Sequence, residues 1–224
     1  MPKLQIPDYI QERLNAGREF RRMAEPLEIR AGGEEEMIVE GYATTFNSPY
    51  ELYSYDGYTV MEQVDPAAFE GCDMSDVIMQ YDHHGRVFAR NRNHTLDLSV
   101  DQHGLKTIGR LNGTELGRQV YQEVQGGYSD RMSFSFTVAE DSRVVTEDHE
   151  TGIVTVLRTI KRIKKLYDVS IVSIPANDAT EIFARGMADG EISWAQQELL
   201  KYRARIRQRE ALALRIKLSN IGGM

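Results

Sequence analysis

The stretch Asp130-Arg131-Met132-Ser133-Phe134-Ser135-Phe136-Thr137-Val138 decides the fold. Met132, Phe134 and Phe136 alternate with Ser133, Ser135 and Thr137, a period of two that sends the apolar side chains to one face and the hydroxyls to the other. The spacing predicts a half-buried strand. A small hydroxyl on such a strand is either a nucleophile held by a rigid scaffold or simply the polar face of the sheet. Alternation alone leaves both readings open. Gly126-Gly127 just upstream either stops a helix or frees backbone N–H groups for an oxyanion.

Moving outward, Leu116, Val120 and Val124 lie four apart after Thr114 and predict one helix that ends at those glycines. Thr95-Leu96-Asp97-Leu98-Ser99-Val100 alternates strictly and meets Leu105-Lys106-Thr107-Ile108 across Asp101-Gln102-His103-Gly104, which reads as a hairpin. Met37-Ile38-Val39-Glu40-Gly41-Tyr42-Ala43 is a further strand, with Gly41 suggesting a bulge. Residues 153–163 and 169–174 add strands downstream, and Asp148-His149-Glu150-Thr151-Gly152 supplies a hairpin loop. Six or seven strands joined by short turns, with one inserted helix, predict a mainly β fold of the α+β class. A closed or nearly closed barrel over residues 27–185 is the expected architecture. Ile6, Ile10 and Leu14 predict a helix over residues 7–23, within an N-terminal helical segment of residues 1–26. Pro26 and Gly32-Gly33 break it. Trp194, Leu199, Tyr202 and Ile206 predict a second helical extension, an amphipathic tail over residues 186–224 that opens with Asp189 and Glu191.

Composition narrows the class. Hydrophobic residues make up 41% and charged residues 27%, as in a globular protein. No run approaches the roughly 18 apolar residues of a membrane helix. Met1-Pro2-Lys3-Leu4-Gln5-Ile6-Pro7-Asp8 lacks the apolar centre of a secretory signal, so a cytoplasmic protein without membrane contact is expected. Cys72 is the sole cysteine, which excludes an internal disulfide and a cysteine zinc cluster. Its setting, Glu70-Gly71-Cys72-Asp73, offers no base and disfavours a thiolate. A net charge of −7 argues against direct nucleic-acid binding. The tail stands apart: seven Lys/Arg against four Asp/Glu give it +3 and leave −10 on the rest.

Two segments can carry chemistry beside the Ser133 strand, the first of them with two readings. In Tyr81-Asp82-His83-His84-Gly85-Arg86 a histidine leaves the apolar run Val77-Ile78-Met79 for a glycine-containing turn, where it is either a general base or a solvated loop residue. In Leu166-Tyr167-Asp168-Val169-Ser170-Ile171-Val172-Ser173-Ile174-Pro175-Ala176 an acid heads an apolar strand and must find a donor or stay wet. An imidazole N–H is such a donor. Asp82-His83-His84 also occurs in metal-dependent phosphoesterases. Those enzymes need further ligands, and apart from the nearby Asp73 and Asp76 no second Asp/His cluster is apparent, since His94, His103 and His149 fall in predicted turns.

Taken together, these blocks resemble the prohead protease family of tailed phages, whose fold is similar to the herpesvirus assemblin barrel. The resemblance runs from about residue 37 to 183 through Gly41-Tyr42-Ala43-Thr44-Thr45-Phe46, Glu62-Gln63-Val64-Asp65-Pro66-Ala67-Ala68-Phe69, Asp82-His83-His84-Gly85-Arg86-Val87-Phe88-Ala89-Arg90, Met132-Ser133-Phe134-Ser135-Phe136 and Asp168-Val169-Ser170 with Pro175-Ala176. His83 precedes Ser133 by 50 residues, and Ser133 precedes Asp168 by 35. The resemblance implies a serine endopeptidase with Ser133 as nucleophile, His83 as base and Asp168 as orienting acid, and with no cofactor and no metal. General acyl-transfer chemistry adds backbone donors for the oxyanion, with Arg131 or Arg90 as expected helpers. Three departures stand. The family often has Asn-His-Asp at Asp82-His83-His84, so a shift by one would promote His84. Its third member is more often Glu than Asp, and it more often has Gly where Ser135, a rival nucleophile, stands. Implied substrates are the capsid-protein precursor, the scaffolding protein and the chain itself, cleaved inside the assembling procapsid in the host cytoplasm. The basic tail suits docking onto acidic capsid or scaffold surfaces, self-association is left open, and a helix that merely packs on the barrel is the plainer reading. A non-enzymatic assembly scaffold on a protease-like barrel, and a metal-dependent phosphoesterase, are the alternatives.

Overall fold

A computed structural model of the chain describes residues 12, 15–30, 36–55, 57–148, 150–172, 194–201, 204, 207–209, 211 and 212. Among the described residues, eleven strands form two sheets. The first is built on a long hairpin, β10 (Arg131–Glu147) and β11 (Val154–Val172). β1 (Arg18–Pro26) adds antiparallel to the outer side of β10. Along its other side β11 meets two strands end to end, both parallel. Its first half pairs with β5 (Tyr58–Val64) and its second with β6 (Ile78–Tyr81). β4 (Tyr50–Tyr55) and β7 (His84–Arg90) extend those two by hairpins. The second sheet runs β2 (Glu28–Ile29), β3 (Ile38–Thr45), β9 (Gly104–Arg110), β8 (Leu96–Val100).

The core lies between the sheets. Phe134 and Phe136 are fully buried and stack at 4.6 Å, in one cluster with Met79, Val169 and Ile171 of their own sheet and Val39, Leu96 and Leu105 of the other. The single helix fully described, α1 (Glu115–Gln125), buries Val120 and Val124 on this core. Thr114 caps it by accepting from the Gly117 N–H, which satisfies one of the unpaired donors of its first turn. Gly104 is required where β9 crosses β3, because a Cβ there would stand 1.9 Å from the Thr44 carbonyl oxygen.

The fold is therefore mainly β with few helices, as expected, but the expected barrel does not close. Among the described residues no ladder joins the sheets into a ring; the Phe46–Val64 bridge and the crossing at Leu27 link them locally. The physical reason lies at the edges: β1, β4 and β7 of the first sheet and β2 and β8 of the second form no ladder with the other sheet. The N-terminal helix also ends early. Glu12 and Asn15 are helical, Gly17 takes φ 73°, and from Arg18 the chain is a strand. Leu14 and residues 7–11 of that expected helix lie outside the described residues, as do Gly32-Gly33, His149 and residues 173–193.

β1 is clamped by buried charge. Arg21 and Glu62, 3% and 0% exposed, form a bidentate pair, with Arg21 Nη2 2.8 Å from Glu62 Oε2. Arg158 reaches the same Glu62 oxygen at 2.8 Å, Glu19 at 2.7 and 3.0 Å, and Asp141 at 2.6 Å. The Tyr50 hydroxyl donates to Glu62 at 2.6 Å. At the far end of the long hairpin, residues 194–201 are helical, and Ala195 is buried against Val154 and Val156. No helix among the described residues is long and apolar enough to cross a membrane.

Candidate active site

Ladder register gathers the polar residues of β10 and β11. Ser133 stands opposite Ser170 and Ser135 opposite Asp168, so all four share one face while Phe134 and Val169 point to the core. The third contributor is the β6–β7 turn. Asp82 and His83 form a two-residue loop with φ 47° and 58°, the left-handed pair that hairpin twist favours and that glycine or asparagine usually supplies. The Asp82 N–H ties the turn to the Ile171 carbonyl of β11 at 3.0 Å. His83 is thereby held over the β10–β11 ladder.

His83 Nε2 lies 2.5 Å from Ser133 Oγ, and its Nδ1 lies 2.5 Å from Asp168 Oδ1. His84 instead opens β7, exposed, opposite Tyr81. The rival hydroxyl of Ser135 donates to Asp168 Oδ2, which Arg18 also ion-pairs; Ser170 donates to Oδ1 at 2.8 Å. Arg18 also gives Ser135 Oγ two bonds, at 3.0 and 2.6 Å. Burial drives the Asp168 carboxyl up, but the imidazole of His83, the Arg18 guanidinium and the Ser135 hydroxyl outweigh it and bring its pKa down to about 2. Asp168 is thus an anion at neutral pH with both oxygens engaged. A serine, an imidazole and a buried carboxylate in this order can pass a proton from hydroxyl to imidazole while the carboxylate steadies the resulting charge.

The expected oxyanion helpers are otherwise engaged. Arg90 pairs with Asp76, with its Nε 2.6 Å from Oδ1, and Arg131 pairs with Asp130 at 3.3 Å. The N–H groups of Gly126 and Gly127 bond the Gln122 and Val124 carbonyls at 2.8 and 3.0 Å, so these glycines end the helix and offer no free donor. Burial pushes the half-buried Cys72 thiol up to about 11. Asp73 is paired with Lys165, and among the described residues no group of three His, Cys, Asp or Glu side chains is arranged to hold a metal ion. Arg18 and Phe20 reach this site although the sequence pattern had put them in a helix; Gly17, a helix-stop residue just before them, was the available signal.

A family model described as caudovirus prohead serine protease matches residues 25–191, well over half of the chain. No curated protein and no solved structure matches it.

Proposed function

Because the chain belongs to the family of caudovirus prohead serine proteases, we propose that it is a Ser-His-Asp endopeptidase of capsid maturation, with Ser133 as nucleophile, His83 as base and Asp168 as the acid that orients it. The observation that carries this reading is the unbroken relay of two 2.5 Å contacts from Ser133 through His83 to Asp168. A serine hydroxyl attacks a peptide carbonyl well only when a base takes its proton as the bond forms. His83 Nε2 receives that proton and returns it to the leaving amine. The acyl group then sits on Ser133 until water, deprotonated by the same imidazole, releases it. Asp168 fixes the tautomer with hydrogen on Nδ1. The chemistry needs no cofactor.

The proposed substrates are the capsid precursor, the scaffolding protein and the chain's own tail, cleaved between residues 183 and 224, inside the assembling procapsid. The tail's +3 against −10 on the rest of the chain favours docking on acidic surfaces at low salt. The division into residues 1–26, 27–185 and 186–224 and the likeness to the assemblin barrel belong to the same proposal. Prolonged treatment with a fluorophosphonate, followed by peptide mapping, tests the nucleophile. The expected adduct is on Ser133 and disappears in His83→Ala. An adduct on Ser135 moves the nucleophile by two residues. Turnover of a phosphoester that chelator abolishes and Ser133→Ala spares would favour the metal-dependent alternative.

A further inference from the structure

β1 touches all three members of the proposed catalytic unit. The Arg21 carbonyl accepts a hydrogen bond from Ser133 Oγ at 2.9 Å. The Phe20 ring meets the His83 imidazole edge-on, 4.9 Å between centroids. Arg18 ion-pairs with Asp168. With β1 in place Ser133 is 4% exposed. Attack requires a substrate carbonyl carbon roughly 3–3.5 Å from the nucleophile, and an extended peptide reaches a strand-borne residue most simply by pairing with that strand's open edge. On β10 that edge is taken: β1 pairs with it from Arg18 opposite Thr137 to Arg22 opposite Ser133.

Proton accounting points the same way. A hydroxyl carries one hydrogen. In the closed arrangement the Arg21 carbonyl competes with His83 Nε2 for that one hydrogen, and its contact must break before the base can take the nucleophile's proton. β1 is a terminal strand of its sheet, so its departure would break pairing with β10 alone. Its alternation fastens it on two faces. Arg18 and Phe20 lie over the catalytic residues, and Glu19 and Arg21 enter the ion-pair clamp with Glu62 and Arg158. Releasing such a pair leaves buried charge uncompensated, which makes the closed arrangement the resting one.

We propose that β1 is an inhibitory strand: the chain's own residues 18–26 occupy the β10 edge and must leave before a substrate peptide can reach Ser133. The proposal rests on Ser133 being the nucleophile. Full-length wild type, Glu19→Ala and Phe20→Ala are compared for the rate at which a fluorophosphonate modifies Ser133, with amide hydrogen exchange over residues 133–136 followed in parallel. Loosening β1 raises the open fraction, so both variants exchange faster and gain the adduct at least about tenfold faster than wild type. Equal or slower modification in both variants overturns inhibition and makes β1 a support of the site, while the adduct itself keeps Ser133 as nucleophile. No adduct in any of the three proteins, with exchange raised in the variants, removes the nucleophile and the inhibition together.

Discussion

Asp168 is fully buried and yet charged, a combination that holds only because Ser135, Ser170, His83 and Arg18 all converge on it. Its folded pKa of about 2 lies below the ordinary 3.8, so its stabilisation is complete above about pH 4 and is lost as pH falls through 2. That window is worth about 2 kcal/mol. Urea melts at stepped pH should show wild type losing stability between pH 4 and 2 more steeply than Asp168→Asn. The same substitution should slow precursor cleavage by up to about 10⁴-fold without reaching background, because nucleophile, base and binding edge remain. Cys72 gives the opposite expectation. A half-buried thiol with its pKa pushed up to about 11 is neutral at pH 8, so Cys72→Ser should leave cleavage unchanged and iodoacetamide should leave Cys72 unmodified.

Among the elements, β1 and β5 are joined by charge where most of the fold is joined by hydrocarbon. Glu62→Gln strips Arg21 and Arg158 of a shared buried partner and should cost about 3–5 kcal/mol. Phe134→Ala, which empties a fully buried aromatic site, should cost a similar 3–5 kcal/mol. Thermal melts of the two variants should therefore fall together. The same clamp explains part of what the sequence hid. Glu62 interrupts Tyr58-Thr59-Val60-Met61-Glu62-Gln63-Val64 as a charge in the middle of a strand, and its cancelling partners are 41 and 96 residues away. Yet Asp56-Gly57 between two tyrosine-bearing runs is a strong hairpin signal, so β4 and β5 were within reach of local reading. β8, β9, α1 and the start of β10 were legible because their periodicity is local. The meeting of Ser133, His83 and Asp168 depended on register between distant strands, which ordered motifs suggested and periodicity alone did not.

For the whole molecule, sheet topology was the feature least available from sequence, since β11 pairs in parallel with both β5 and β6 along one edge. No local pattern encodes a shared edge. The two ends of the chain then bear on activity in different ways. The N-terminal strand lies across the proposed catalytic residues, and the helical residues 194–201 sit at the far tip of the β10–β11 hairpin, with Ala195 buried against Val154 and Val156. Incubated alone, wild-type protein should shorten to a product ending between residues 183 and 224 in intact-mass spectra, while Ser133→Ala stays at full length. The most direct test of the account is co-expression of the cognate capsid precursor with wild type, Ser133→Ala or Ser135→Ala, followed by mass analysis of the precursor. Cleavage by wild type, none by Ser133→Ala and retained cleavage by Ser135→Ala is the predicted result. Cleavage that survives Ser133→Ala would contradict it.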